Sequence, residues 1–95
     1  MKEAPWPFDQ PPNCTVFSVR EIVFSGKPIL FVSHDNDGDW QFLTGEGVGE
    51  EDAAVIGLRE IVELDGTVLE LADLPLGWIA VRQSANASWD RKPRS

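Results

Sequence analysis

The stretch PILFVSHDNDGDWQFLTG, residues Pro28 to Gly45, sets two apolar runs on either side of a short acidic turn, and the rest of the chain is read from it. Ile29 to Val32 is dense in β-branched and aromatic side chains, Asn36-Asp37-Gly38-Asp39 has turn chemistry, and Trp40 to Thr44 resumes strand character. The pattern predicts a β-hairpin. With Asp37-Gly38 as a two-residue loop, or with all four turn residues as the loop, Asp35 faces Trp40, Ser33 faces Phe42 and Phe31 faces Thr44. One face then carries Phe31, Trp40 and Phe42, the other Leu30, Val32 and Leu43, which places the pair inside a sheet rather than at its edge. A three-residue loop brings His34 opposite Trp40 instead.

Upstream, residues 1–13 hold four prolines, Pro5, Pro7, Pro11 and Pro12, which favour an extended arm that Trp6 and Phe8 pin to the body. Thr15 to Val19 reads as a strand. Ser18 and Glu21 fit a capping box, so a helical turn through Arg20 to Val23 competes with continued strand. Ser25-Gly26-Lys27-Pro28 then supplies a turn.

Downstream, Ala53 to Leu58 is a strand in preference to a helix, because Gly57 weakens a helix interior and Val55-Ile56 favour extended backbone. Leu58, Ile61, Val62 and Leu64 fit one apolar helical face that stops at Asp65-Gly66. Thr67 to Glu70 is a capping box that opens a second short helix, which Pro75 ends, and Trp78 to Arg82 is a last strand. Helical stripes and strand faces must cover one another, so the expected fold is α+β: a small antiparallel-rich sheet with one or two short helices packed on one face. The division is an arm at 1–13, one domain at 14–83 and a polar basic tail at 84–95.

Ninety-five residues, 42% of them apolar, with four Trp and five Phe, make one folded domain. No apolar run reaches the length of a membrane span or a signal peptide, which implies a cytoplasmic protein that does not engage membranes. The charge is uneven. Residues 35–73 hold twelve acids against Arg59 alone, a net −11 within a total of −8, so the rest of the chain carries +3. That polarity argues against nucleic acid, whose phosphates require clustered Lys and Arg, and suits a basic protein partner.

Motifs for small ligands fail on inspection. Gly45, Gly47 and Gly49 alternate as in a phosphate loop, but no Lys-Ser/Thr follows and neighbouring acids repel phosphate. Asp35, Asp37, Asp39 and Glu46 copy part of a calcium loop, yet Trp40 stands where that loop needs Gly. Cys14 and His34 contain the residue types of a thiol nucleophile and base, but a single cysteine beside a proline-rich arm reads as inert. No cofactor, metal or catalytic set is expected, and the chain is read as a non-enzyme.

Asp39-Trp40-Gln41-Phe42, Gly45-Glu46, Leu58, Ile61, Asp65, Leu74-Pro75-Leu76-Gly77-Trp78 and Arg82 line up along the chain. Over about residues 28–82 they resemble a family of small bacterial domains of unknown function grouped with the immunity proteins of polymorphic toxin systems. Gly66 stands where that pattern has Pro after the Asp. The resemblance implies a protein that neutralises a toxin or enzyme by binding it. Glu46, Glu50, Glu51 and Asp52, in a glycine-punctuated loop, together with Trp40 and Trp78, are the candidate partner-binding residues. The alternative is a structural or regulatory interaction module, with a homodimer left open.

Overall fold

Alternation marks the first strand as far as Ser18. In β1, Thr15–Val19, Val16 and Ser18 are buried while Thr15 and Phe17 are exposed, as in a strand with one covered face. The computed structural model describes residues 6–46 and 50–94. After β1 come α1 (Arg20–Ser25), β2 (Phe31–His34), β3 (Trp40–Leu43), a 3-10 turn at Glu50–Asp52 and β4 (Ala53–Gly57). The chain continues through α2 (Leu58–Leu64), a 3-10 helix at Gly66–Leu71, β5 (Trp78–Val81) and β6 (Asp90–Pro93). The six strands form one sheet in the order β4-β1-β3-β2-β5-β6, in which only β1 and β3 run parallel. The fold is α+β, as the strand and helix patterns predict.

The sheet's covered face carries Val16, Val32, Trp40, Phe42 and Ala80. Against it α2 and the following 3-10 helix set Leu58, Ile61, Val68 and Leu71, with Leu74 from the next turn and Ile22 from α1. None of these is more than 2% exposed. Burial of this kind stabilises by about 1.5–3 kcal/mol for each large aliphatic side chain, which is why short helices of modest propensity hold here.

The hairpin takes the register of the three-residue loop, one residue away from the register that two- and four-residue loops share. His34 pairs with Trp40, Val32 with Phe42 and Phe31 with Leu43, around a three-residue loop. Asp35 N–H donates to Asp39 O at 2.8 Å, Gly38 N–H donates to Asp35 O at 2.9 Å, and Gly38 takes φ 95°. That is a turn closed by a left-handed residue, which glycine adopts without strain. Asp37 Oδ1 adds a bond from Asp39 N–H. The slip also has a reason in the core: in the expected register Asp35 shares a face with Trp40, and its carboxylate would enter apolar surroundings at a cost of several kcal/mol. Val32, His34, Trp40 and Phe42 therefore share the covered face, while Phe31, Ser33, Gln41 and Leu43 lie on the other.

Three further segments resolve differently from their sequence signals. Residues 20–25 are helical, but without the capping box, because Ser18 Oγ donates to Phe42 O at 2.8 Å instead. The second short helix is 3-10, and its cap is Asp65, which accepts from Thr67 N–H at 3.0 Å and Thr67 Oγ1–H at 2.6 Å. Within residues 84–95, read as a tail, Asp90–Pro93 pairs with β5 as the sixth strand.

The arm is pinned as its aromatics suggest. Trp40 lies at the centre of a ring cluster, edge-on to Phe8 at 5.3 Å and stacked on His34 at 4.0 Å and Phe42 at 5.8 Å. Its Nε1–H donates to Gln10 Oε1 at 3.1 Å, while Trp6 Nε1–H donates to Gln10 O at 2.6 Å. Trp40→Ala removes the packing and the anchor of the arm together. It is expected to cost about 3–5 kcal/mol in urea unfolding. An unchanged midpoint would show that the ring carries no such load.

Candidate functional site

Of the twelve acids in residues 35–73, three are matched by arginines from the C-terminal part: Asp65 by Arg82, Asp73 by Arg91 and Asp35 by Arg94. Asp37, Asp39, Glu46, Glu51, Asp52, Glu60, Glu63 and Glu70 are exposed and make no salt bridge among the described residues. The candidate residues Glu46, Glu51 and Asp52 are thus on the surface, whereas Gly47, Gly49 and the side chain of Glu50 lie outside the described residues. Glu51 and Asp52 immediately precede β4, whose Val55 is 59% exposed, as is its cross-strand partner Phe17 at 45%. Glu46 borders a shallow depression with Phe31, Leu43 and Arg94.

These apolar groups belong to the uncovered side of the sheet, along the row Val55, Phe17, Gln41, Ser33 and Ile79. Its polar centre is tied internally. The Asp35 carboxylate accepts from Ser33 Oγ at 2.5 Å, Gln41 Nε2 at 2.7 Å and Arg94 Nη1 at 3.4 Å. The structure does not bring the two tryptophans into this surface. Trp40 is 1% exposed and its indole N–H is satisfied by Gln10, so it offers no face to a partner. Trp78 is half-buried, pairs with His34 across the sheet and packs against the core.

His34 Nδ1 lies 2.7 Å from Leu74 O, a geometry that fixes it as the donor, and its Nε2 is buried without a partner. Cys14 Sγ instead lies 3.6 Å from the carbonyl of its neighbour Thr15. No hydrogen bond joins the two among the described residues. Nor do three His, Cys, Asp or Glu side chains converge as metal ligands among those residues. Among the described residues no helix is long and apolar enough to cross a membrane.

The strongest electrostatic feature is one that charge counting misses. The Arg82 side chain is 1% exposed, and its Nη2 donates to Asp65 Oδ2 at 2.6 Å. Nε donates to Ile29 O at 2.9 Å, and Nη1 donates to Thr67 Oγ1 at 3.0 Å and Ala85 O at 3.2 Å. The guanidinium also lies 4.1 Å over the Trp89 ring. Comparison with family models, with curated proteins and with solved structures finds no match to this chain.

Burial pushes the Asp65 carboxyl up, but the hydrogen bonds from Thr67 and the Arg82 guanidinium outweigh it and hold the group below its ordinary value. A carboxyl lowered in the folded state contributes stability that is complete above the ordinary carboxylate range and is lost as pH falls through and below it. Asp65→Asn is expected to flatten the acid limb of the stability profile. Near neutral pH it should cost about 3 kcal/mol, because Arg82 is left buried beside a neutral partner. Denaturant midpoints of both proteins across the acid range measure this, and parallel profiles would refute it.

Proposed function

We propose that this chain is a non-enzymatic protein-binding domain of the immunity type, which neutralises a basic toxin or enzyme through its acidic surface. The observation that carries the reading is the set of exposed carboxylates that make no salt bridge among the described residues, with Glu46, Glu51 and Asp52 beside the uncovered apolar face formed in part by Phe17 and Val55. Exposed charges contribute little to folding, since solvent and salt screen them within about 8 Å. They remain free to raise the rate at which a positively charged protein arrives, while neighbouring apolar side chains supply contact area once it has docked.

The resemblance over residues 28–82 supports the same reading and supplies the immunity role. Affinity capture with the intact chain, read by mass spectrometry, should return a basic protein whose toxicity to cells is relieved when the chain is co-expressed. Reversing Glu50, Glu51 and Asp52 to Lys is expected to slow association and flatten its salt dependence, with the melting temperature nearly unchanged. Stopped-flow association with the captured protein at low and high salt measures this. Equal rates for wild type and the folded triple variant would remove this loop as the docking surface.

A further inference from the structure

β6 joins the sheet without joining the core. All four of its residues, Asp90-Arg-Lys-Pro93, are exposed, and it stands at one end of the strand order, beside β5. The backbone groups that β5 turns toward it follow from the ladders on either side. Arg82 N–H donates to Leu30 O at 3.1 Å, which extends the β2 register by one pair, so Ala80 and Trp78 also bond toward β2. Ile79 and Val81 therefore direct N–H and C=O toward β6. Arg94 N–H donates to Gly77 O at 2.8 Å and extends the β6 register in the same phase. Lys92 and Asp90 thus bond Ile79 and Val81, and Pro93 falls at a pair that needs no N–H.

The side chains of this segment grip both faces of the sheet. Successive strand residues alternate between faces, so Arg91 and Arg94, three apart, take opposite sides. Arg91, opposite buried Ala80, reaches the helical layer, where it bonds the Asp73 carboxylate at 2.8 Å and the Glu70 carbonyl. Arg94 crosses the uncovered face to Ser33 Oγ at 3.1 Å and Asp35 Oδ1 at 3.4 Å. Both ion pairs are open to solvent and contribute little. A strand with no buried side chain, held by one short ladder and two weak ion pairs, belongs to the elements that open before the rest of a fold. Trp89, just before it, is anchored separately over the Arg82 guanidinium.

We propose that the outer edge of β5, with Asp73 and Glu70 O on one side of the sheet and Asp35 on the other, is a docking site for an extended basic segment of another protein, and that β6 fills it as an internal competitor. The chemistry of the occupant is on view in β6 itself: an extended stretch whose two basic residues, three apart, reach carboxylates on opposite faces. The incoming segment pairs with Ile79 and Val81 in place of β6 and sets its cations on the carboxylates that Arg91 and Arg94 release. This rests on the reading of the partner as a basic protein, and adds where and in what conformation that protein docks. Competition also gives selectivity, because only a segment whose cations match both carboxylates displaces a strand that is already tethered to the chain.

Amide exchange in the intact chain, followed residue by residue by NMR, tests whether β6 opens alone. Ile79 and Val81 should exchange together with Lys92 and Arg94, roughly a hundredfold faster than Ala80 and Arg82, whose N–H groups bond β2. Occupancy is tested with a fluorescent synthetic peptide of residues 89–94, beside a control peptide with Glu at both arginine positions. Wild type should bind the first peptide weakly, and less as salt rises. The Arg91→Glu/Arg94→Glu chain, in which β6 repels Asp73 and Asp35, should bind it about tenfold or more tightly, with Ile79 and Val81 protected again in the complex. Circular dichroism melts establish that this variant folds. Equally slow exchange along β5, equal binding by the two chains, or equal binding of the control peptide would each overturn the site, and the first of these needs no variant. The probe is a synthetic peptide, so failure to capture a basic protein strikes the immunity reading alone, and failure of the exchange strikes this site alone.

Discussion

A buried guanidinium is tolerable only where the chain delivers acceptors to it, and Arg82 imposes that condition on four separate segments. Ile29 precedes β2, Asp65 and Thr67 lie where α2 gives way to the 3-10 helix, Ala85 follows β5, and Trp89 precedes β6. Each must arrive in place for the charge to leave water without a penalty of several kcal/mol. The Asp65 carboxylate has a double duty, since the oxygen pair that receives Arg82 and Thr67 also caps the 3-10 helix. The same network that neutralises the arginine therefore sets the angle at which the helical layer leaves α2.

A second constraint acts at the other end of the hairpin. Trp40 is large and carries a polar N–H, so burial demands both apolar neighbours and an acceptor. The proline-rich arm provides both, Phe8 as a ring and Gln10 as a carbonyl side chain. The described part of the arm, residues 6–13, has no regular secondary structure and is thus an integral layer of the core, fixed by aromatic contact rather than by a ladder. His34 completes the opposite side of the stack through its bond to Leu74 O, which ties the hairpin to the turn before β5.

Much of this was legible in the residues. The hairpin, β1, β4, α2, β5 and the anchoring role of Trp6 and Phe8 all follow from local pattern, because alternation and apolar stripes are local properties. Register was not, since the loops compatible with Asn36-Asp37-Gly38-Asp39 differ by one residue, and the choice depends on which face the rest of the core covers. The strand at Asp90–Pro93 was hidden because an edge strand of charged residues has no apolar face to announce it. Arg82 was invisible as a buried group for a related reason: its acceptors include backbone carbonyls of Ile29 and Ala85, which no side-chain pattern encodes. At the surface, the position of Glu46, Glu51 and Asp52 was legible as polar loop chemistry, while the burial of Trp40 depended on the arm folding back over it.

The arrangement of bases explains why the acidic surface persists. A tail of free arginines could swing over the carboxylates of residues 35–73 and neutralise them wherever they lie. Here each of three arginines is committed to a fixed place. Arg82 is enclosed, Arg91 bonds Asp73 and the carbonyl of Glu70, and Arg94 lies across Ser33 and Asp35 with its own N–H bonded to Gly77 O. The latter two pairs are exposed and individually contribute little, but β6 pairing with β5 holds their backbones in register regardless of the ion pairs. The bases are restrained by the sheet, and among the described residues the acids around β4 and along α2 make no salt bridge. Surface acidity is in this sense a consequence of strand pairing, and loosening β6 would alter the electrostatic field at a distance without touching a single carboxylate.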